Sequence, residues 1–138
     1  LELDGSHNVL EIGTGLGYQA AVLAELACAV YTAEIVEELA EESKRRLGVR
    51  GYKNIHFRVG DGNQGWPEFA PFARIIATAA PELMPAALLG QLKPGGRMII
   101  PAGLDEEQQL LLVEKDDTGR INSQEILPVR FSPLTIPD

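Results

Sequence analysis

Residues 9–18 read VLEIGTGLGY, an apolar run that ends at three glycines spaced two apart, Gly13, Gly15 and Gly17. A helix-like segment, residues 19–27, follows at once. A strand, a glycine loop and a helix in this order bring a nucleotide-bearing cofactor against bare backbone. Glycine suits such a loop because a Cβ would block close approach and because some loop positions need a positive φ. The stretch therefore predicts an α/β fold with a cofactor loop.

A carboxylate follows the loop at the distance that such folds require. Glu34 lies 21 residues after Gly13, at the end of the next apolar run, where an acid accepts the ribose hydroxyls. The loop reads G-x-G-x-G, and Tyr18 stands where a nicotinamide fingerprint needs a small residue. This spacing favours S-adenosyl-L-methionine over a dinucleotide as the cofactor. The alternative is a glycine-rich turn that serves only packing.

Composition indicates one domain, residues 1–138, without an extended basic surface. The net charge is −8, whereas a surface that binds nucleic acid needs clustered Lys and Arg. No apolar run approaches the roughly 20 residues that span a bilayer, and no secretory signal is visible. We therefore expect neither a nucleic-acid nor a membrane partner, and a cytoplasmic location. The oligomeric state stays open.

The cysteine content argues against a disulfide framework. Cys28 is the single cysteine, so the sequence predicts neither an intrachain disulfide nor a cysteine metal cluster. Its sequence neighbours are small and apolar, which predicts a buried structural cysteine rather than a nucleophile. The chain begins at Leu1 rather than at Met, and we expect a fragment cut close to the edge of the cofactor domain.

Apolar periodicity predicts alternating strands and helices, followed by a hairpin. The amphipathic second helix has acidic first turns and a basic last turn, which complements the helix dipole, and Gly48 is predicted to follow its end. The predicted strands are 8–12, 29–34, 54–59, 74–78 and 97–101, the helices are 19–27, 36–47 and 85–92, and the hairpin strands are 109–115 and 121–131. This order favours a mostly parallel sheet with a C-terminal antiparallel pair.

Several segments together resemble the protein-L-isoaspartate O-methyltransferase family. They are VLEIGTGLGYQAAVLAEL (9–26), GDGNQGWPEFAPF (60–72), IIATAAPE (75–82), LKPGGRMIIPAG (92–103) and PVRFSPLT (128–135). The resemblance implies a Rossmann-like class I methyltransferase fold. It also implies methyl transfer from S-adenosyl-L-methionine to the free carboxylate of L-isoaspartyl residues in damaged proteins, which initiates their repair. A carboxylate is ionised at neutral pH, so this chemistry needs no general base.

The resemblance also assigns the cofactor-binding residues. The loop acts through its backbone, Glu11 lies near the methionine moiety, and Glu34 takes the ribose hydroxyls. An alternative for Glu11 is a carboxylate that only orders the loop, and Trp66 and Phe69 either line a lid or serve packing. The full set is Glu11, Gly13, Thr14, Gly15, Leu16, Gly17, Glu34, Ile35 and Asp61 with Gly62 at the adenine, Thr78 and Ala79 beside the methyl group, and Thr135.

Two departures from the family pattern limit what the resemblance implies. The family has a longer N-terminal region with a serine segment that contacts the substrate carboxylate, and the serines of this chain match none of it. No catalytic residue is therefore assigned, and we expect weak or no activity from these 138 residues. Ala73 replaces an aspartate that often precedes the fourth strand.

Three alternative functions follow from the same residues. One is a class I methyltransferase that acts on a small molecule or on RNA. Another is a cofactor-binding fragment without activity. The third, a nicotinamide-dependent oxidoreductase, is disfavoured by Tyr18 and by the C-terminal hairpin.

Overall fold

The computed structural model describes residues 5, 7–13, 18–60, 64–77, 86–102 and 109–128. Within these ranges a sheet of seven strands has the order β3-β2-β1-β4-β5-β6-β7. The strands are β1 (Asn8–Ile12), β2 (Ala29–Glu34), β3 (Ile55–Val59), β4 (Phe72–Ala77), β5 (Leu92–Ala102), β6 (Gln109–Lys115) and β7 (Ile121–Pro128), and the helices are α1 (Tyr18–Leu26), α2 (Glu37–Val49) and α3 (Ala86–Gln91).

The sheet confirms the predicted fold class. Strands β1 to β5 pair in parallel, and β6 and β7 add an antiparallel hairpin at the β5 edge. The hairpin is tied back to α3, because the Lys115 ammonium donates to the Leu89 carbonyl at 2.7 Å. The chain runs from β1 outward through β2 and β3, and then crosses to β4 on the other side of β1. Ligands of open α/β sheets bind where the strand order reverses in this way.

Apolar side chains cover both faces of the central strands, as expected for parallel strands buried between layers. One face carries Leu10, Ile75 and Met98 against α3. The opposite face carries Val9 and Val30 against α1, and α2 packs beside them. Two large apolar side chains of α1, Val22 and Leu26, are about half exposed, so this apolar helix is not covered on every side.

Three local predictions are wrong, and each has a physical reason. Gly48 lies inside α2, and Gly51 instead provides the left-handed conformation after the helix, with φ +84°. Cys28 is exposed, because it stands in the bend between α1 and β2 rather than in either element. Strand β5 begins at Leu92 rather than at Arg97, since Leu92 pairs with Phe72 before the register shifts.

The described residues include no helix that is long and apolar enough to cross a bilayer. The longest of their helices, α2, has 13 residues and a row of charged side chains on its exposed side. Within this row the Arg46 guanidinium lies 2.9 Å from the Glu42 carboxylate, an ion pair one helical turn apart.

Candidate functional site

The ends of β1 and β2 place the predicted cofactor residues at one edge of the sheet. The two strands are paired in register, with Glu11 opposite Thr32 and Ile12 opposite Ala33. Just past the end of β1, the Gly13 amide donates to the Ala33 carbonyl at 2.8 Å. Because the carboxyl ends of parallel strands meet at the same edge, Glu11, Gly13 and Glu34 are brought together there.

Gly13 is a position at which the glycine loop has a positive φ. Its φ is +93°, a value that favours glycine over residues with a Cβ. Strand β1 therefore ends at a position where the chain can turn sharply before α1 begins at Tyr18.

Glu11 is a fully buried carboxyl group on the face of the sheet that α1 covers. The Thr32 hydroxyl donates to its Oε1 at 2.6 Å. Among the described residues its other oxygen, Oε2, has no hydrogen-bond partner. Burial raises the pKa of Glu11 to about 7; the Thr32 hydrogen bond opposes this rise, and the nearby Glu34 charge adds to it.

Glu34 is the last residue of β2, and its side chain is largely buried at the edge of the sheet. Its Oε2 accepts the backbone amide of Val36 at 3.1 Å, which holds the carboxylate over the turn that leads into α2. Its backbone carbonyl accepts the Gly60 amide at 3.0 Å, so the end of β3 is joined to the same edge. Ile35 follows and is half-buried.

The structure thus brings Glu11, Gly13, Glu34 and Ile35 to one edge of the sheet. The other predicted cofactor residues lie outside the described residues. These are Thr14, Gly15, Leu16, Gly17, Asp61, Gly62, Thr78, Ala79 and Thr135.

The segment after β3 is held by residues that sequence reasoning missed. The buried side chain of Gln91, at the end of α3, accepts the Trp66 amide at 2.8 Å and donates to the Gln64 carbonyl at 2.9 Å. Arg58 donates to the Gly65 carbonyl at 3.1 Å. These bonds fix the chain just beyond residues 61–63. A glutamine in an otherwise apolar short helix was the available signal.

We expect Gln91→Leu to lower the free energy of unfolding by about 1–3 kcal/mol, since it removes two part-buried hydrogen bonds, to the Trp66 amide and the Gln64 carbonyl, each worth about 0.5–1.5 kcal/mol. Urea denaturation measures this change. Gln64→Leu is the matched control, because Gln64 is exposed and accepts through its backbone. Equal stability of both variants would contradict a clamping role for Gln91.

Trp66 and Phe69 pack in an aromatic cluster around Tyr31. The Tyr31 ring meets Trp66 edge-on with centroids 5.5 Å apart and stacks on Phe69 at 4.7 Å. His56 stacks on the same tyrosine at 4.7 Å. These contacts give Trp66 and Phe69 a packing role. No group of acidic, histidine or cysteine side chains among the described residues could hold a metal ion.

Known proteins share both the sequence and the fold of this chain. A protein named protein-L-isoaspartate O-methyltransferase 1 from Polaromonas sp. is 58% identical over 134 residues, which are 97% of this chain and 57% of that protein. A solved structure named protein-L-isoaspartate O-methyltransferase superposes with a TM-score of 0.87 at 35% identity, covering 95% of this chain and 43% of that one. The chain thus spans little more than half the length of such relatives.

A second solved structure extends the likeness in fold. It comes from Plasmodium falciparum, is described as a protein-L-isoaspartate O-methyltransferase, and is in complex with S-adenosyl-L-homocysteine. Its TM-score is 0.81 at 21% identity, covering 96% of this chain and 67% of that one. A sequence model of the protein-L-isoaspartate(D-aspartate) O-methyltransferase family matches residues 1–137. The chain therefore belongs to the protein-L-isoaspartate(D-aspartate) O-methyltransferase family.

Proposed function

We propose that the 138 residues form the S-adenosyl-L-methionine-binding domain of an enzyme that methylates the free carboxylate of L-isoaspartyl residues in damaged proteins. Family membership supports this reaction and this class of substrate. The observation that carries the proposal is the pair of buried carboxyl groups, Glu11 and Glu34, at the edge where the strand order reverses.

The described residues fit the donor groups of this cofactor. Glu11 Oε2 is a buried acceptor without a partner in the described part of the chain, and the cofactor carries an ammonium group and two ribose hydroxyls as donors. We assign the ribose hydroxyls to Glu34 and the methionine end to Glu11. Gly13 and the residues after it approach through backbone, and Ile35 offers an apolar contact to the adenine.

When bound, the cofactor supplies a methyl group on a sulfonium centre. The substrate carboxylate is already ionised at neutral pH, so the protein has no proton to remove from it. What remains for the protein is to align the reacting atoms and to keep water away from them. Glu34 and Glu11 contribute by fixing the two ends of the cofactor relative to the sheet.

A cytoplasmic location and the absence of a nucleic-acid partner remain predictions from composition.

We expect Glu34→Ala to weaken the binding of S-adenosyl-L-homocysteine about tenfold to hundredfold, because it removes charge-assisted hydrogen bonds worth about 1.5–3 kcal/mol. Isothermal titration calorimetry measures the affinity. Glu41→Ala is the matched control, since it removes the same charge from an exposed position on α2. Unchanged affinity in Glu34→Ala would contradict the assignment of the ribose hydroxyls to Glu34.

The proposed reaction is tested by transfer of labelled methyl to an isoaspartyl peptide, with the matching aspartyl peptide as control. The full-length Polaromonas relative is assayed in parallel, because the 138 residues match 57% of its length. We expect label on the isoaspartyl peptide alone, and less of it from the 138-residue chain. Equal labelling of both peptides would overturn the proposed substrate. Cofactor binding without any transfer by either protein would favour a cofactor-binding role.

A further inference from the structure

Three polar side chains form a row near the ends of β1 and β2, on the face of the sheet that α1 covers. Thr32 lies two residues before Glu34 on β2, so both side chains point to the same face. Glu11 is opposite Thr32 in the parallel register and shares this face. Val9 and Val30, two residues before Glu11 and Thr32 on the same face, pack against α1. Of the three polar residues in the row, Thr32 has a hydroxyl group where Glu11 and Glu34 have carboxyl groups. It lies directly beside Glu11.

The hydrogen bond between Thr32 and Glu11 leaves the carboxyl group with two unequal oxygens. Oε1 accepts the hydroxyl at 2.6 Å, and both side chains are fully buried. In the described part of the chain no donor reaches Oε2. A buried acceptor without a donor is rare in folded proteins and calls for a specific reason. A donor that arrives with a ligand is such a reason.

We propose that Thr32 is a positioning residue for the cofactor: its hydroxyl fixes Glu11 so that Oε2 accepts the cofactor's ammonium group, and Glu11 loses a proton to solvent as the cofactor binds. This inference rests on the proposed cofactor. The step balances, because a neutral carboxyl group becomes a carboxylate beside the ammonium, and one proton passes to the buffer.

The charges around Glu11 support a proton that leaves on binding. Burial is the main cause of the raised pKa of Glu11, and the Glu34 charge on β2 adds to the rise. On β4, the register partner is the uncharged Ile76. Arg74 lies two residues toward the start of the strand, opposite Val9 and on the same face, and its Nη1 donates to the Ala73 carbonyl. On α1, Glu25 is exposed and accepts the Tyr52 hydroxyl. An ammonium group at Oε2 would lower the pKa of Glu11 and so favour the carboxylate.

The Thr32 hydroxyl acts in the same direction as the ammonium. It donates to the carboxyl group, which lowers the pKa of Glu11. Replacing Thr32 by valine keeps the branched shape and removes this donor. Glu11 then needs a higher pH to ionise, so the pH profile of cofactor affinity is expected to move upward. A residue that served packing alone would leave the profile in place.

The test is titration calorimetry of the 138-residue chain with S-adenosyl-L-homocysteine near pH 7, in phosphate and in Tris. These buffers differ in ionisation enthalpy, so the difference in heat counts the protons released. We expect release of a fraction of one proton by the wild type and none by Glu11→Gln. For Thr32→Val we expect affinity about tenfold lower at pH 7, recovering as the pH rises. Thr32→Ser should restore the wild-type profile.

A second ligand separates the proposed contact from a general effect on the fold. 5′-Methylthioadenosine keeps the adenosine and the sulfur but has no ammonium group. Thr32→Val should therefore bind it as the wild type does, without proton release.

Wild-type binding of S-adenosyl-L-homocysteine without proton release would overturn this inference alone. So would an equal loss of both ligands in Thr32→Val with an unshifted pH profile. A folded wild-type chain that binds S-adenosyl-L-homocysteine at no pH would overturn the proposed cofactor, and this inference with it. The number of protons that the wild type releases on binding S-adenosyl-L-homocysteine tests the inference even if a variant fails to fold.

Discussion

Phe72→Ala should lower the free energy of unfolding by about 3–5 kcal/mol, the range for removing a fully buried phenylalanine. Phe72 begins β4, has no exposed surface, and belongs to the main core cluster with Leu10 and Ile75. Its ring also packs on Tyr31 with centroids 5.6 Å apart. The truncation leaves a cavity between the core of the sheet and the aromatic cluster around Tyr31. Urea denaturation, followed by circular dichroism, measures the change.

Phe69→Ala is the matched control for this truncation. Phe69 stacks on the same tyrosine, but 45% of its surface is exposed. We therefore expect a clearly smaller loss than in Phe72→Ala. Equal losses in the two variants would contradict the view that burial in the core, rather than aromatic stacking, makes Phe72 important.

Glu11 should make the stability of the chain depend on pH between about 4.5 and 7. Its pKa is raised from 4.5 to about 7 in the folded chain, so the folded state binds the proton more tightly than the unfolded state. The stabilisation from the neutral form is fully present below pH 4.5 and is lost as the pH rises through 7. The expected loss is about 3 kcal/mol, at 1.36 kcal/mol for each pKa unit.

The measurement compares urea denaturation of the wild type and of Glu11→Gln across this pH range. Glutamine has a similar shape and does not titrate, so the difference between the two proteins removes the contribution of the other carboxyl groups. The free energy of unfolding of the wild type should fall relative to that of the variant as the pH rises. Parallel pH profiles would contradict a raised pKa for Glu11.

Sequence patterns predicted the central strands well because these strands leave an unambiguous signal. Residues 8–12 and 29–34 were predicted as strands and form β1 and β2 with the same bounds. Each is a short apolar run that stops at a glycine or at an acidic residue. The hairpin was likewise predictable, since residues 116–120 supply a turn between two strand-like segments.

Contacts between elements were not predictable in the same way. Thr32 and Gln91 read as ordinary polar residues, and their partners, Glu11 and the backbone of Gln64 and Trp66, are more than 20 residues away along the chain. Which residues face each other depends on the register between strands and on how α3 packs. Neither can be read from the pattern of a single sequence.

The location of the candidate site was predictable from the sequence, but the contacts within it were not. The glycine spacing and the position of Glu34 placed the cofactor at the ends of β1 and β2, and the structure brings Glu11, Gly13 and Glu34 to that edge. That Glu11 is fully buried, and that in the described part of the chain only one of its oxygens is hydrogen-bonded, could not follow from its position before a glycine loop.

Binding of S-adenosyl-L-homocysteine and of NADH to the 138-residue chain, measured by titration calorimetry, tests the central claim most directly. The glycine spacing, the two carboxyl groups and the family membership predict one site for S-adenosyl-L-homocysteine in each chain and no heat of binding from NADH. A folded chain that binds NADH, or that does not bind S-adenosyl-L-homocysteine, would contradict the assignment of this edge of the sheet to S-adenosyl-L-methionine.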